Sequence, residues 1–131
     1  MTNYLDVLQG SDPVAIAREE SRGLPAGAVE KVAAMYGVSQ TRLCRTLGIS
    51  ISRWQRAKAA RGRLSRDASE GLSRYVRLHT QASRLLRDPG RWFHDPTPFL
   101  HGRTPFEMAD TEAGGRAVEA VLARLEAGGP A

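Results

Sequence analysis

The amino-acid sequence predicts an all-helical protein. Aromatic residues make up only 6% of its 131 residues, and no stretch alternates apolar and polar residues as a half-buried strand does. Apolar residues instead recur at helical spacing, and Gly, Pro, Ser or Thr stand where those segments begin and end. A chain of this length forms one compact domain or two small ones. These observations favour a helical core and argue against the cleft of a large enzyme.

The first helix predicted from periodicity follows the segment Gly23-Leu24-Pro25. Its apolar face is made by Val29, Val32, Ala33 and Tyr36. Gly37 is placed to end it, because glycine readily takes the left-handed conformation found after a helix. The residues before this region, through Ser11, are expected to be poorly ordered, as chain termini often are.

A helix-turn-helix pattern comes next. Ser39 is a predicted N-cap for a helix that runs through Leu47, Gly48 marks the turn, and Ser50 caps a second helix, residues 51–60. Cys44 occupies the small-residue position where two helices touch, so we interpret it as a buried thiol. We expect the second helix to contact base edges in the major groove. The predicted DNA-binding residues are Ser50, Ile51, Ser52, Arg53, Gln55, Arg56 and Lys58.

The charge distribution favours the same interpretation. Residues 42–87 contain twelve basic and two acidic side chains, residues 88–131 four basic and seven acidic, and residues 1–41 three basic and five acidic. Such a concentration of Arg and Lys is typical of a surface that contacts phosphates. Basic faces also occur on proteins that bind no nucleic acid. Ile51 and Trp54 fit a subunit interface as well as they fit a DNA-binding surface.

A long helix is predicted to join two modules. Ser65 is its N-cap, and Asp88-Pro89 ends it. Its apolar positions are Leu72, Tyr75, Val76, His79, Ala82, Leu85 and Leu86. Arg74, Arg77 and Arg84 lie on the opposite face, where we expect them to be solvated or to contact phosphate. The break at residue 88 predicts two domains, residues 1–87 for DNA binding and dimerisation and residues 88–131 for a second function.

Residues 88–131 carry an ordered series of short motifs. A tryptophan-led helix, residues 88–93, precedes a proline-rich connector, residues 95–100, and a turn with the sequence His-Gly-Arg-Thr-Pro. Thr104, Pro105 and Glu107 form a predicted capping box at the start of another short helix. Asp-Thr-Glu then opens a last helix, which carries the apolar stripe Val118, Val121, Leu122 and Leu125. Gly128 is its predicted end.

This order of motifs resembles the toxin-binding domain of the Xre/MbcA/ParS-type antitoxins. The resemblance implies an Xre-like helix-turn-helix domain joined by a long helix to a small helical toxin-binding domain. It also implies that the partner is a RES-domain toxin, an enzyme that consumes NAD+ or transfers its ADP-ribosyl group, and that the C-terminal domain covers the active site of that toxin. A homodimer within a hetero-oligomeric complex and binding to operator DNA are expected.

The implied toxin-binding residues are Trp92, Phe93, Arg103, Phe106, Gly128, Gly129, Pro130 and Ala131. The sequence departs from the family pattern at three points. Thr97 stands where an asparagine is common, His101 replaces the first of two usual glycines, and the terminal Gly-Gly-Pro-Ala segment lacks the aromatic or bulky aliphatic residue often found after the glycine of the last helix. The terminal Gly-Gly-Pro-Ala segment gains little from packing and is expected to enter the cleft of the partner.

No catalytic, metal or cofactor site is predicted. His79, His94 and His101 lack the spacing of metal ligands. We expect His79 beside an apolar helix face and the other two in solvated turns. The chain lacks an apolar run long enough for a membrane helix, and its N-terminal residues do not fit a signal peptide, so a cytoplasmic protein is predicted.

Two other functions fit these residues. One is a stand-alone transcriptional repressor of the Xre type, with the C-terminal module used for oligomerisation. The other is a helical scaffold whose helix-turn-helix serves dimerisation alone. A neighbouring reading frame for a RES domain favours the antitoxin, whereas an isolated gene whose product binds an operator favours the repressor.

Overall fold

The computed structural model describes residues 3–129, and this part of the chain is all-helical, as predicted. Its α-helices in chain order are α1 (Tyr4–Gln9), α2 (Pro13–Arg22), α3 (Ala28–Tyr36), α4 (Gln40–Thr46), α5 (Ile51–Ala59), α6 (Arg66–Ser83), α7 (Pro89–Trp92), α8 (Pro105–Met108) and α9 (Glu112–Glu126). A short 3₁₀ helix, Pro98–Leu100, lies between α7 and α8. Each long helix predicted from periodicity is therefore present.

The long helix α6 is the centre of the fold. It packs against α1, α2 and α3 on the N-terminal side and against α7 and α9 on the C-terminal side. Its buried residues include Leu72, Tyr75 and Val76, none of which exposes any surface. Buried side chains from both sides of residue 87 form one continuous apolar cluster. The two parts thus share a core. The division at residue 87 stays a prediction, and it concerns which ligand each part binds.

The expectation that residues through Ser11 are poorly ordered is wrong for the described part of that segment. Helix α1 has Asn3 as its N-cap, with the side-chain oxygen accepting from the backbone N–H of Asp6 at 3.0 Å. Leu8 on this helix is fully buried, and α1 packs on α6. A six-residue helix is too short to be stable alone, so its order comes from tertiary packing that periodicity does not reveal.

Helix α2 is not predicted from apolar periodicity, although its local signals are strong. Asp12 is the N-cap and Pro13 follows it in the first turn, where the missing N–H of proline costs nothing. The Asp12 carboxylate accepts from the backbone N–H of Val14 at 3.0 Å and of Ala15 at 3.3 Å. Helix α2 packs on α1 and α6.

Aromatic side chains fix the C-terminal helices to the N-terminal ones. The Tyr36 hydroxyl donates to the backbone oxygen of Tyr75, and the Tyr75 hydroxyl donates to the backbone oxygen of Phe106 at 2.8 Å. The Tyr36 ring meets those of Phe93 and Phe106 edge-on, with centroids 4.8 and 5.5 Å away. Burial raises the pKa of both tyrosines. These hydrogen bonds and ring contacts position the last third of the chain on α3 and α6.

Candidate functional site

Helices α4 and α5 form the predicted helix-turn-helix. Gly48 has a φ of 70°, the left-handed conformation that the turn requires. Ser50 is the N-cap of α5, with its Oγ accepting from the backbone N–H of Arg53 at 3.4 Å. Cys44 is fully buried at the helix contact, and burial raises the pKa of its thiol. It is a packing residue, as the sequence predicts.

Trp54 anchors α5 to the core. Its side chain is only 5% exposed, and its indole N–H donates to the backbone oxygen of Ala26 at 2.9 Å. The alternative that Trp54 serves a subunit interface is therefore wrong in this fold. Ile51 is half-buried against the same core. Ala57 packs against the core beside these two residues, and the other side chains of α5 are exposed.

Apart from the half-buried Ile51, the predicted DNA-binding side chains are all exposed, but they differ in their partners. Those exposed at or near the first turns of α5 are Ser50, Ser52, Arg53, Gln55 and Arg56. Within residues 3–129, the guanidinium groups of Arg53 and Arg56 form no hydrogen bond or ion pair. Lys58 differs, because its ammonium pairs with Glu30 on α3 and lies 5.3 Å from the Trp54 ring centroid. The surface of α5 that is available to a ligand is thus formed by Ser50, Ser52, Arg53, Gln55 and Arg56.

Several other arginines of the basic region have structural partners. Arg74 donates from Nε to the backbone oxygen of Ala109 at 2.9 Å and from Nη2 to that of Asp110 at 3.3 Å. The expectation that Arg74 is solvated or contacts phosphate is therefore wrong, since it holds α6 to the end of α8. Arg63 donates to the backbone oxygen of Gly23 at 2.8 Å. Net charge consequently overstates the number of side chains that can contact phosphate.

The C-terminal helices have the caps predicted from the sequence. Thr104 and Glu107 form a complete capping box at α8, and the hydrogen bond from the Thr104 side chain lowers the pKa of the Glu107 carboxyl. Thr111 caps α9 by accepting from the backbone N–H of Gly114 at 3.0 Å. A Cβ on Gly114 would lie 1.7 Å from the backbone oxygen of Met108. Helices α8 and α9 therefore pack backbone against backbone.

Two predicted toxin-binding residues are core residues instead. Phe93 is 0% exposed and Phe106 is 1% exposed, because their rings fill the space around Tyr36 and Tyr75. Neither has surface to offer a partner in this fold, so the expectation that they contact the toxin is corrected. Trp92 is half-buried and packs on the Phe93 ring at 5.0 Å.

Arg103 and the described part of the C-terminal segment lie at the surface. Arg103 is exposed, and its Nη1 is 3.8 Å from the Met108 sulfur. At the end of α9, Gly128 has a φ of 86°. The backbone N–H of Gly128 donates to Leu125 O at 3.0 Å and that of Gly129 to Arg124 O at 2.8 Å, which is the Schellman arrangement. Gly128 thus ends the helix as predicted, and Pro130 and Ala131 lie outside the described residues.

Sequence reasoning missed an exposed aromatic residue in this module. Phe99 is 38% exposed, and the guanidinium carbon of Arg124 lies 4.4 Å from its ring centroid. Phe99 belongs to a three-residue 3₁₀ helix, a segment too short for apolar periodicity to indicate which side chains face the core. Its partner is 25 residues away in the sequence, so no local signal reveals the contact.

His79 and His94 both contact the aromatic core. His79 lies beside the Tyr36 and Phe93 rings, as predicted, with centroids 5.3 and 6.4 Å away, and burial lowers its pKa. His94 is not a solvated turn residue, since its Nε2 is 2.7 Å from the backbone oxygen of Tyr36. Within residues 3–129, no cluster of His, Cys, Asp and Glu has a metal-binding arrangement, and no helix is long and apolar enough to cross a membrane.

Comparison with known proteins assigns a description to each half of the chain. Residues 15–77 match the family model of the antitoxin Xre-like helix-turn-helix domain. Residues 82–128 match that of the antitoxin Xre/MbcA/ParS C-terminal toxin-binding domain. The chain is also similar to a curated protein from Photorhabdus laumondii subsp. laumondii named Antitoxin Xre, with 29% identity over 112 residues, which cover 82% of this chain and 76% of the relative. Both ends of the gap between the matched segments lie within α6.

Proposed function

The chain belongs to the Xre/MbcA/ParS-type antitoxins, and on that basis we propose that it neutralises a RES-domain toxin by covering the active site of that enzyme. The toxin consumes NAD+ or transfers its ADP-ribosyl group, and this chain contributes no catalytic residue. We further propose that the chain represses its own operon by binding operator DNA as a homodimer in the bacterial cytoplasm. The two matched domains support the two binding functions.

The end of α9 is the observation that carries the proposed inhibition. A capped helix stops at Gly128, and the segment Gly128–Ala131 that follows has only small or proline side chains. An enzyme that binds NAD+ needs an open polar cleft for the pyrophosphate. A narrow, proline-stiffened segment enters such a cleft at a low entropic cost.

The exposed side chains of α5 support the proposed operator binding. Arg53, Gln55 and Arg56 lie on the solvent side of a helix whose inner side is fixed by Trp54. Arg pairs with guanine edges or phosphates, and Gln pairs with adenine. Helix-turn-helix proteins bind two half-sites through a dimer, which is why we propose a homodimer within the toxin complex.

Two nested truncations test the proposed inhibition. Removing Pro130 and Ala131 leaves the Schellman hydrogen bonds at Gly128 and Gly129 intact, whereas removing Gly128–Ala131 deletes them. We expect both truncations to weaken inhibition of NAD+ consumption at a one-to-one ratio with the RES toxin. The complex should still form in both cases, because the helical domain retains its contact surface. NAD+ consumption and co-elution in size-exclusion chromatography measure the two effects separately.

The full-length chain is the control for both truncations. If the shorter forms inhibited the toxin as well as the full-length chain does, inhibition would have to come from steric cover by the helical domain and not from insertion of the tail. The RES assignment itself would be wrong if the full-length chain neither binds the neighbouring RES-domain protein nor restores growth when the two are co-expressed. Operator binding is an independent claim and is tested on promoter DNA.

A further inference from the structure

Phe99 is exposed at a rigid position. Within residues 3–129, only Val14 and Phe99 are exposed among the large hydrophobic side chains. Phe99 precedes the buried Leu100 in a tight turn. The backbone N–H of Gly102 donates to Thr97 O at 2.9 Å, and that of Arg103 donates to Leu100 O at 3.1 Å. The turn thus presents the Phe99 ring with its backbone already ordered, which lowers the entropic cost of binding a partner.

Left-handed residues close this turn. His101 has a φ of 56° and Gly102 a φ of 82°, so the chain reverses directly after Leu100. A Cβ on Gly102 would meet nothing within 4 Å, which shows that the space beside the turn is open. Phe99 itself is 38% exposed, so part of its ring stays accessible to a partner.

Arg124 connects Phe99 to the end of α9. Its guanidinium carbon lies 4.4 Å from the Phe99 ring centroid, and its backbone oxygen accepts from the N–H of Gly129. Arg124 has no ion pair within residues 3–129. A guanidinium that stacks on an aromatic face keeps N–H groups at its edge, and these match the two oxygens of a carboxylate. The charge of Arg124 is thus available to a partner.

We propose that Phe99, Arg124 and Gly129 form one toxin-contact surface that guides the C-terminal segment into the toxin, and that the toxin supplies an apolar recess with a carboxylate at its rim. This inference rests on the proposed function and names the contact that the proposed inhibition requires. Three observations support it. The residues are contiguous, Arg124 lacks an anionic partner within the described residues, and Phe99 and Arg124 belong to the segment that matches the toxin-binding domain family. Aromatic and Arg side chains are also enriched where binding energy concentrates.

Matched substitutions in the full-length chain test this surface. Phe99→Ala and Arg124→Ala remove the proposed contacts. Val14→Ala removes the other exposed large apolar side chain, which lies on α2, and Arg116→Ala removes an exposed arginine of α9. Affinity for the purified RES toxin is measured by calorimetry, after circular dichroism has shown unchanged helicity and melting. We expect Phe99→Ala and Arg124→Ala each to weaken binding about tenfold or more, and the two controls to change it less than about twofold.

The double variant Phe99→Ala/Arg124→Ala provides a further test. Because the two side chains are stacked, the loss of binding free energy in the double variant should be smaller than the sum of the losses in the two single variants. Wild-type affinity in both Phe99→Ala and Arg124→Ala, or equal effects in the control variants, would overturn the proposed surface and leave the proposed function standing. A wild-type chain that does not bind the toxin would overturn both. The assay therefore distinguishes the two failures.

Discussion

Helices α5 and α9 show two different uses of a capped helix. Each begins with a hydroxyl N-cap, Ser50 or Thr111. Helix α5 buries Trp54 alone, whereas α9 buries Gly114, Gly115, Val118, Val121 and Leu122. Most of α5 therefore faces solvent and is available to a ligand, whereas one face of α9 is part of the core. Substitutions of the exposed α5 side chains should change binding without changing stability, and substitutions of the buried α9 residues should do the reverse.

The contact surface proposed for α9 lies in its last turn. Its buried glycines admit close neighbours, since a Cβ on Gly115 would lie 2.5 Å from the Arg74 Cδ. Beyond these contacts, Arg124 in the last turn and Gly128 just after the helix are exposed. The first turns of α9 thus pack against neighbouring segments, whereas its C-terminal end is exposed. Separate measurements of stability and binding test whether α5 and α9 differ in this way.

Gly114→Ala should have the largest effect. The new Cβ would lie 1.7 Å from the Met108 backbone oxygen, and backbone atoms cannot move away without separating α8 from α9. We expect the free energy of unfolding to fall by about 3 kcal/mol or more, the upper range for overpacked sites. Urea denaturation followed by circular dichroism measures it.

Gly27→Ala is the matched control for that prediction. Gly27 has a φ of −65°, and a Cβ there would meet nothing within 4 Å. Alanine fits this conformation, so stability should be unchanged or rise by up to about 1 kcal/mol. Equal stability of Gly114→Ala and wild type would show that α8 and α9 are less closely packed than described.

Arg53→Ala and Arg56→Ala should reduce DNA affinity while leaving stability unchanged. Removing a contact to a base would cost about 1–3 kcal/mol, and removing a contact to a phosphate would reduce the salt dependence of binding by about one counterion. Fluorescence anisotropy with a labelled promoter fragment, repeated at several salt concentrations, separates the two roles. Gln55→Ala should behave as the removal of a base contact.

Arg116→Ala removes an exposed arginine of α9 and should leave promoter binding unchanged. Lys58→Ala should have a smaller effect than Arg56→Ala, since the Lys58 ammonium already pairs with Glu30. DNA binding through α5 would be refuted by a footprint that shows no protected operator with either the free chain or the toxin complex. The helix-turn-helix would then be assigned to dimerisation.

The sequence predicts local structure here because local structure depends on nearby residues. The N-caps Ser39, Ser50, Ser65 and Thr104 all accept a backbone hydrogen bond from a residue three positions ahead. Glycines 37, 48 and 128 all take the left-handed conformation expected of them. Each signal and its consequence lie within one helical turn, so no knowledge of the tertiary structure is needed to interpret them.

Long-range partners cannot be predicted in this way. His94 pairs with the backbone of Tyr36, 58 residues earlier, and Arg74 pairs with that of Ala109, 35 residues later. The burial of Phe93 and Phe106 likewise depends on rings contributed by α3 and α6. This packing decides which side chains form the core and which form the contact surface. The motif order alone therefore places two core phenylalanines at the toxin interface and gives no signal for the exposed ring on the 3₁₀ helix.

The smallest expected effect concerns His79, whose ring lies among the aromatic side chains that join the N-terminal and C-terminal helices. Burial lowers the pKa of His79, so the folded state favours the neutral ring that packs on Tyr36 and Phe93. The stability gained is complete above the unfolded-state pKa of about 6.5 and is lost as pH falls through the lower folded-state value. Unlike substitutions on α5, a drop from pH 7 to pH 5 should therefore destabilise the shared core.

Because the His79 ring is only half-buried, solvent screening should keep this loss below about 1 kcal/mol. Urea midpoints at pH 7 and pH 5 measure it. His79→Phe keeps an aromatic ring that cannot be charged, so it should lose less stability than wild type between these pH values. His101→Asn is the control, since asparagine tolerates the left-handed conformation at that exposed position. The Glu107 carboxyl, whose pKa is lowered, loses its contribution only below its unfolded-state pKa of about 4.3, outside this range. If His79→Phe and wild type lost equal stability between pH 7 and pH 5, the acid sensitivity would have to come from a group other than the His79 ring.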